Sequence, residues 1–247
     1  MNTPARDLDD YQRQYRALPF EPTQARYRRR CVLARIAARR PLRLLEVGCG
    51  EAPLFTDLPG MHVTVVEPAA SFAANALQLA QGRTNVRVVE CTLEAADTSI
   101  GPFDMVVVSC LLHELDDPQA LLAAARRLCS PESVLHVNVP NAQSLHRLLA
   151  VAMGLIPSAK AISATQLTMQ QHTTYDRVTL TAELASAGFD VIEEGSLFVK
   201  PFSHAQMQRL LDEGFMTSAM LDGLDALVAT LPSLGSEIWA DAKVGRG

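Results

Sequence analysis

Leu44-Leu45-Glu46-Val47-Gly48-Cys49-Gly50 closes a short apolar run, Leu42 to Val47, with a tight Gly-x-Gly turn. A helix-compatible segment follows, Glu51 to Leu58. A second apolar run, His62 to Val66, then ends in Glu67. Strand, glycine turn, helix, strand and acid form the front half of a nucleoside-binding α/β domain. Two glycines let the backbone approach a ligand and take φ angles that other residues avoid. An acid at the tip of the second strand can accept hydrogen bonds from both hydroxyls of a ribose.

The glycine pattern does not fit a dinucleotide. That fingerprint needs a third glycine at position 53, where Pro53 stands. Proline suits the first turn of a helix, but no phosphate-cradling series follows it. Glu46 would repel a pyrophosphate and attract a cation. An adenosine carrying a sulfonium-bearing amino acid meets these conditions.

Beyond Glu67 the strand–helix alternation continues. A helix is expected at 69–81, strands at 86–89 and 103–108, a helix at 118–128 and a strand at 134–139. Short apolar runs separated by helices read as βα units around a buried parallel sheet. Such a sheet binds ligands at the carboxyl ends of its strands. Asp117-Pro118 supplies an N-cap and a first helical residue. Asn141 can cap the helix after strand five. An apolar helix runs from Leu148 to Ile156, and the small, polar segment 157–172 interrupts the rhythm, as active-site lids do. A helix at 179–187, a strand at 189–195, helices near 204–213 and 216–230, and a last strand at 236–244 complete the chain.

Glu46-x-Gly48-x-Gly50 with Glu67 resembles the first two motifs of the class I S-adenosylmethionine-dependent methyltransferases. The resemblance implies a Rossmann-like α/β sheet of seven strands in order 3-2-1-4-5-7-6, with strand 7 antiparallel. It implies S-adenosyl-L-methionine as cofactor and S-adenosyl-L-homocysteine as product. Cofactor contacts would come from Glu46, Gly48, Cys49, Gly50, Glu67 and Pro68, and after strands three and four from Thr92, Leu93, Ser109 and Cys110. Thr92 departs from the family, which usually has an acid there for the adenine amino group. Glu90 or Glu94 can compensate, and Leu93 keeps its backbone contact.

The stretch from Ser109 to Pro118 is similar to the family's segment after strand four, which places His113 and Glu114 where the methyl group is delivered. Either can act as a general base, and histidine has the suitable pKa. The other reading has His113 packed under the cofactor. No third ligand stands out beside this pair, so no metal is expected. His172 and Tyr175 occupy the place of a His-x-x-Tyr motif in relatives, as candidates for proton relay or substrate contact. Asn141, His146, Tyr175 and Lys200 are the candidate substrate contacts. The Phe198-x-Lys200-Pro201 segment and Gln206-Met207 resemble a bacterial subgroup associated with surface-glycan or natural-product genes. So do Leu18-Pro19-Phe20-Glu21 and the arginine-rich helix that follows.

Residues 1–41 read as an N-terminal helical extension, and 42–247 as the methyltransferase domain with a lid at about 145–177. Leu8, Tyr11 and Tyr15 give one apolar stripe within 7–18. In the helix at 23–39, Tyr27, Cys31, Ala34 and Ala38 share a face. Its arginines read as a solvated face rather than a nucleic-acid footprint, because almost no aromatics interleave them.

Of 247 residues, 48% are hydrophobic and 20% charged, and the net charge is -5, which gives no general reason to bind nucleic acid. No apolar stretch approaches the ~20 residues of a membrane span, and there is no apolar signal region. The five scattered cysteines form no Cys-x-x-Cys pair, so a reducing cytoplasm is the expected setting. The expected function is methyl transfer to an oxygen or nitrogen of a small-molecule acceptor, by a monomer or homodimer. An RNA or protein methyltransferase and a non-catalytic cofactor-binding protein are the alternatives.

Overall fold

The computed structural model describes residues 8–245. Its seven strands are β1 (Arg43–Val47), β2 (His62–Val66), β3 (Val86–Val89), β4 (Phe103–Ser109), β5 (Cys129–Pro140), β6 (Phe189–Leu197) and β7 (Glu237–Val244). They form one sheet in the order β3-β2-β1-β4-β5-β7-β6. β1 to β5 pair in parallel, and β7 runs antiparallel to both β5 and β6. The expected order and the reversed seventh strand are therefore observed.

Side chains alternate between the two faces of the sheet, as the period of two requires. Leu44, Val63, Val65, Met105 and Val107 point to one face, where Val32, Ile36 and Phe55 cover them. Leu45, Val66, Val106, Val108, Leu135 and Val137 point to the other. That second face is covered by Leu121 and Leu122 of α4 (Pro118–Arg127) and by Leu180 and Leu184 of α7 (Arg177–Ser186).

The expected helix at 51–58 is only a 3₁₀ turn, Leu54–Asp57. The face it would have covered is taken by an N-terminal helix, Glu21–Arg39, numbered α2 after α1 (Leu8–Ala17). The arginines of α2 are only partly the expected solvated face: Arg26 is exposed, but five others pair with acids. Arg28 donates to Glu21 and Glu237, and Arg29 to Asp57 and to the carbonyls of Ala52 and Pro53. Arg30 pairs with Asp222 and Asp225, while Arg35 and Arg39 share Asp241 and Glu193. These acids come from the first loop, β6, β7 and α9 (Ser218–Ala226), so α2 is bolted across the sheet. Its buried residues are Glu21, Gln24, Tyr27, Val32 and Ile36, a different stripe from the expected one.

A third apolar cluster joins the start of α2 to the connection between β6 and β7. Phe20 and Tyr27 meet Phe198, Met207 of α8 (His204–Asp212) and Leu221 of α9. Asp7 lies outside the described residues, as does the Tyr11 side chain. Among the described residues no helix is long and apolar enough to cross a membrane.

Candidate active site

At the carboxyl edge of β1, β2 and β4 lies a cavity of about 620 Å³, within the usual range for small-molecule sites. Its floor is the glycine turn. Gly48 and Gly50 have φ of +73° and +54°, a region that L side chains rarely adopt. A Cβ built on Gly50 would meet nothing within 4 Å. The turn therefore leaves its backbone open to a ligand.

Two buried carboxylates flank the turn. Glu67 organises it: the amides of Cys49 and Gly50 donate to its Oε2 at 2.9 and 3.3 Å, and that of Ala69 to its Oε1 at 2.8 Å. Glu46 accepts the Leu54 amide on both oxygens. Burial pushes the Glu46 carboxyl up to about 8; the Leu54 amide and Arg29 pull it down, and Glu67 adds to the rise. A cavity with two buried carboxylates at its floor suits a cationic ligand with hydroxyl donors, which is the chemistry of S-adenosylmethionine.

All ten expected cofactor residues line this one cavity: Glu46, Gly48, Cys49, Gly50, Glu67, Pro68, Thr92, Leu93, Ser109 and Cys110. Phe72 of α3 (Ala70–Leu79), Leu111, Glu114 and Leu115 extend the wall. Leu8 and Tyr15 bring α1 to the cavity, and α1 is held there by hydrogen bonding of Gln12 with Ser71 and by an Arg16–Glu51 ion pair. Cys110, at the end of β4, holds φ +54° without being glycine, and its amide donates to the Asn138 carbonyl.

The expected catalytic residues are placed differently. His113 does not line the cavity, whereas its neighbour Glu114 does. The His113 side chain is buried, and its carbonyl accepts the amides of His172 and Thr173. It ties residues 172–173 to the loop after β4. His172 sits outside, with Nδ1 3.1 Å from Asp116. Tyr175 is 1% exposed and lies in the core with Leu180 and Leu184, its hydroxyl donating to Glu183 at 3.4 Å. Tyr175 does not line the cavity.

Asn141 neither caps the next helix nor faces the cavity. Its Nδ2 donates to the carbonyls of Ser233 and Gly235 and its Oδ1 accepts the Gln143 amide, which pins the loop before β7. Ser144 takes the N-cap place of α5 (Leu145–Ala152). The segment expected to be a lid continues through α6 (Ala164–Thr168), and Arg147 clamps the Ala159 and Ala161 carbonyls and Gln166. His146 and Lys200 are drawn together at the same edge of the sheet, and Lys200 lies near Arg28, one of three arginines that line the cavity.

Arg28 and Tyr15 are site residues that the motifs missed. Arg28 does leave a signal. Gln24, Arg28, Val32 and Ile36 recur at i, i+4, and an arginine within a buried stripe is an internal ion-pair partner.

Sheet order and cavity define the class I methyltransferase architecture. A family described as a methyltransferase domain matches residues 20–194. The chain belongs to that family and is an S-adenosylmethionine-dependent enzyme of class I. Solved structures agree in fold. Mitomycin 7-O-methyltransferase has a TM-score of 0.56 and 13% identity, over 84% of this chain and 50% of the other, so this chain spans half the length of that enzyme. The 1,6-didemethyltoxoflavin-N1-methyltransferase of Burkholderia thailandensis has a TM-score of 0.62 and 16% identity, over 99% and 92% of the two chains. It was solved with 1,6-didemethyltoxoflavin and S-adenosylhomocysteine bound. A methyltransferase of Thermotoga maritima aligns over 96% of both chains, with a TM-score of 0.56 and 16% identity. No curated protein sequence matches this chain.

Proposed function

We propose that the chain transfers a methyl group from S-adenosylmethionine to an oxygen or nitrogen of a small molecule, by in-line SN2 displacement. The observation that carries this reading is the convergence of the glycine turn, Glu46, Glu67 and the loops after β3 and β4 on one cavity. When bound, S-adenosylmethionine supplies a methyl group on a sulfonium. The residues of this chain hold and orient. Glu67 offers its remaining lone pairs to ribose hydroxyls while three amides fix its position. Glu46 offers a negative charge to the cationic end of the cofactor. Leu93 and Phe72 supply apolar walls.

Positioning an acceptor in line can supply roughly 7–11 kcal/mol of such a barrier. Glu114, whose residue lines the cavity, is the proton acceptor in this scheme. A macromolecular acceptor has less support, because five of the arginines of α2 that would form a basic platform, Arg28, Arg29, Arg30, Arg35 and Arg39, are paired with acids of the same chain. Natural-product and glycan precursors are the proposed acceptor class, in keeping with the small-molecule acceptor bound by the Burkholderia enzyme.

The test supplies methyl-labelled S-adenosylmethionine together with metabolite, RNA and protein fractions in separate reactions. Label in the metabolite fraction is the expected result. Label only in RNA or protein overturns the acceptor class. No label from a protein that binds the cofactor would assign it to non-catalytic binding.

A further inference from the structure

Beside the cavity stand a lysine and two histidines that the methyl-transfer scheme does not use. β5 and β6 run in the same direction, since both are antiparallel to β7, so their carboxyl ends share the cofactor edge. Lys200 follows β6, His204 opens α8, and His146 lies in the first turn of α5 after β5. Lys200 is 4% exposed, and no described residue accepts a hydrogen bond from its ammonium. Among the described residues the ring atoms His146 Nδ1 and His204 Nε2 are buried with no hydrogen-bond partner. The three act on one another: the charge of Lys200 disfavours protonation of both histidines, and His204 disfavours that of His146.

Buried polar groups are nearly always satisfied, and leaving one unpaired is destabilising. Two buried ring nitrogens without a partner, on α5 and α8, stand close enough to the Lys200 ammonium to feel its charge, and such a group suits a ligand that brings acceptor atoms. Nearby carboxylates do not fill that role. Arg28 donates to Glu237 three times and once to Glu21, and Gln24 and Asn138 also donate to Glu237. Glu21 and Glu237 are thus committed to Arg28, and with Lys200 charged these four groups balance at two against two.

Resting on the methyltransferase reading, we infer that the acceptor molecule carries an oxyanion, a carboxylate or a phosphate, held by Lys200, His146 and His204. Arg28 joins this site to the cofactor cavity, which it lines. The oxyanion takes hydrogen bonds from the lysine ammonium and both ring nitrogens. Its charge favours the protonated forms of all three, so binding draws in protons.

Burial brings the Lys200 ammonium down to about 7, with Glu21 and Glu237 opposing and Arg28 assisting, and takes His204 to about 2. Burial and the neighbouring Lys200, His204 and Arg147 hold His146 well below its ordinary value. Oxyanion affinity therefore falls as pH rises above about 7, roughly tenfold per unit for one linked proton.

The experiment follows the imidazole resonances of His146 and His204 by NMR during titration with sodium acetate and with inorganic phosphate. Sodium chloride at equal ionic strength is the control. Saturable shifts of both rings, weaker at higher pH and weakened at least tenfold in Lys200→Met, are expected. A response to acetate alone assigns a carboxylate, and to phosphate alone a phosphate. If neither anion moves either ring well above millimolar concentration, the site is overturned.

Should Lys200→Met not fold, the wild-type titration and its pH dependence decide. S-adenosylhomocysteine binding is read by calorimetry on the same preparation. Anion shifts without that binding would sink the cofactor reading and leave this one standing, and the reverse pattern would do the opposite.

Discussion

The Leu54 amide donates to both carboxylate oxygens of Glu46, at 3.1 and 2.9 Å, and so ties the loop after the glycine turn to the end of β1. Even with this bond, burial keeps the Glu46 carboxyl at about 8, against an ordinary 4.5. Between those values the folded protein holds a proton that the unfolded chain has lost. The contribution of Glu46 to stability is therefore full below 4.5 and falls as pH rises to about 8. The melting temperature of wild type minus that of Glu46→Gln should decline across this window. A flat difference would show that the carboxyl titrates normally. A cationic ligand favours ionised Glu46, so S-adenosylmethionine affinity should rise with pH over the same range, and Glu46→Gln should flatten that rise.

Gly48→Val tests the turn. At φ +73° a side chain costs about 1–2 kcal/mol, and a β-branched one more. A Cβ there would touch Leu111, which lines the cavity, at 3.5 Å, and the added methyls of valine crowd this wall further. Both a lower melting temperature and at least a tenfold loss of S-adenosylhomocysteine affinity are expected. Unchanged binding would mean that the ligand does not approach this backbone.

Arg28 and Arg209 are both paired, with unequal consequences. Arg28→Met would leave Glu21 and Glu237 buried without their cation, at a cost of about 3–5 kcal/mol in urea denaturation. Arg209→Ala breaks an exposed helical pair with Glu213 and should cost under about 1 kcal/mol. Equal effects would refute the view that α2 is bolted through a buried ion cluster.

Tyr175 separates packing from chemistry. Loss of its hydroxyl in Tyr175→Phe should cost no more than about 1.5 kcal/mol, and Tyr175→Ala about 3–5 kcal/mol. Near-neutral Tyr175→Ala would contradict its place in the core.

Sheet order and the cofactor wall were legible because they rest on local signals: apolar runs of strand length, a glycine turn and an acid at a strand tip. What the sequence concealed was long-range. Pro53 and the run to Leu58 are compatible with a helix. Whether one forms depends on the face beneath, and Val32 and Ile36 from α2 already occupy it. The stripe of α2 is not legible by residue type because Glu21, Gln24 and Arg28 count as polar, yet they are covered by pairing with residues more than two hundred positions away or with each other. His113 and Glu114 are adjacent, and a 3₁₀ turn at Leu112–Glu114 decides which of the two reaches the cavity. Backbone conformation at that scale is not written in residue type. Tyr175 follows a family motif in sequence, and the core claimed it.

The central claim is that Glu67 and the glycine turn bind S-adenosylmethionine. Calorimetric titration with S-adenosylmethionine and S-adenosylhomocysteine, on wild type and on Glu67→Ala shown to be folded by its melting curve, tests it most directly. A charge-assisted contact of ~1.5–3 kcal/mol predicts that the substitution weakens binding roughly ten- to a hundredfold. Failure of wild type to bind either compound, or equal affinity in folded Glu67→Ala, would contradict the account.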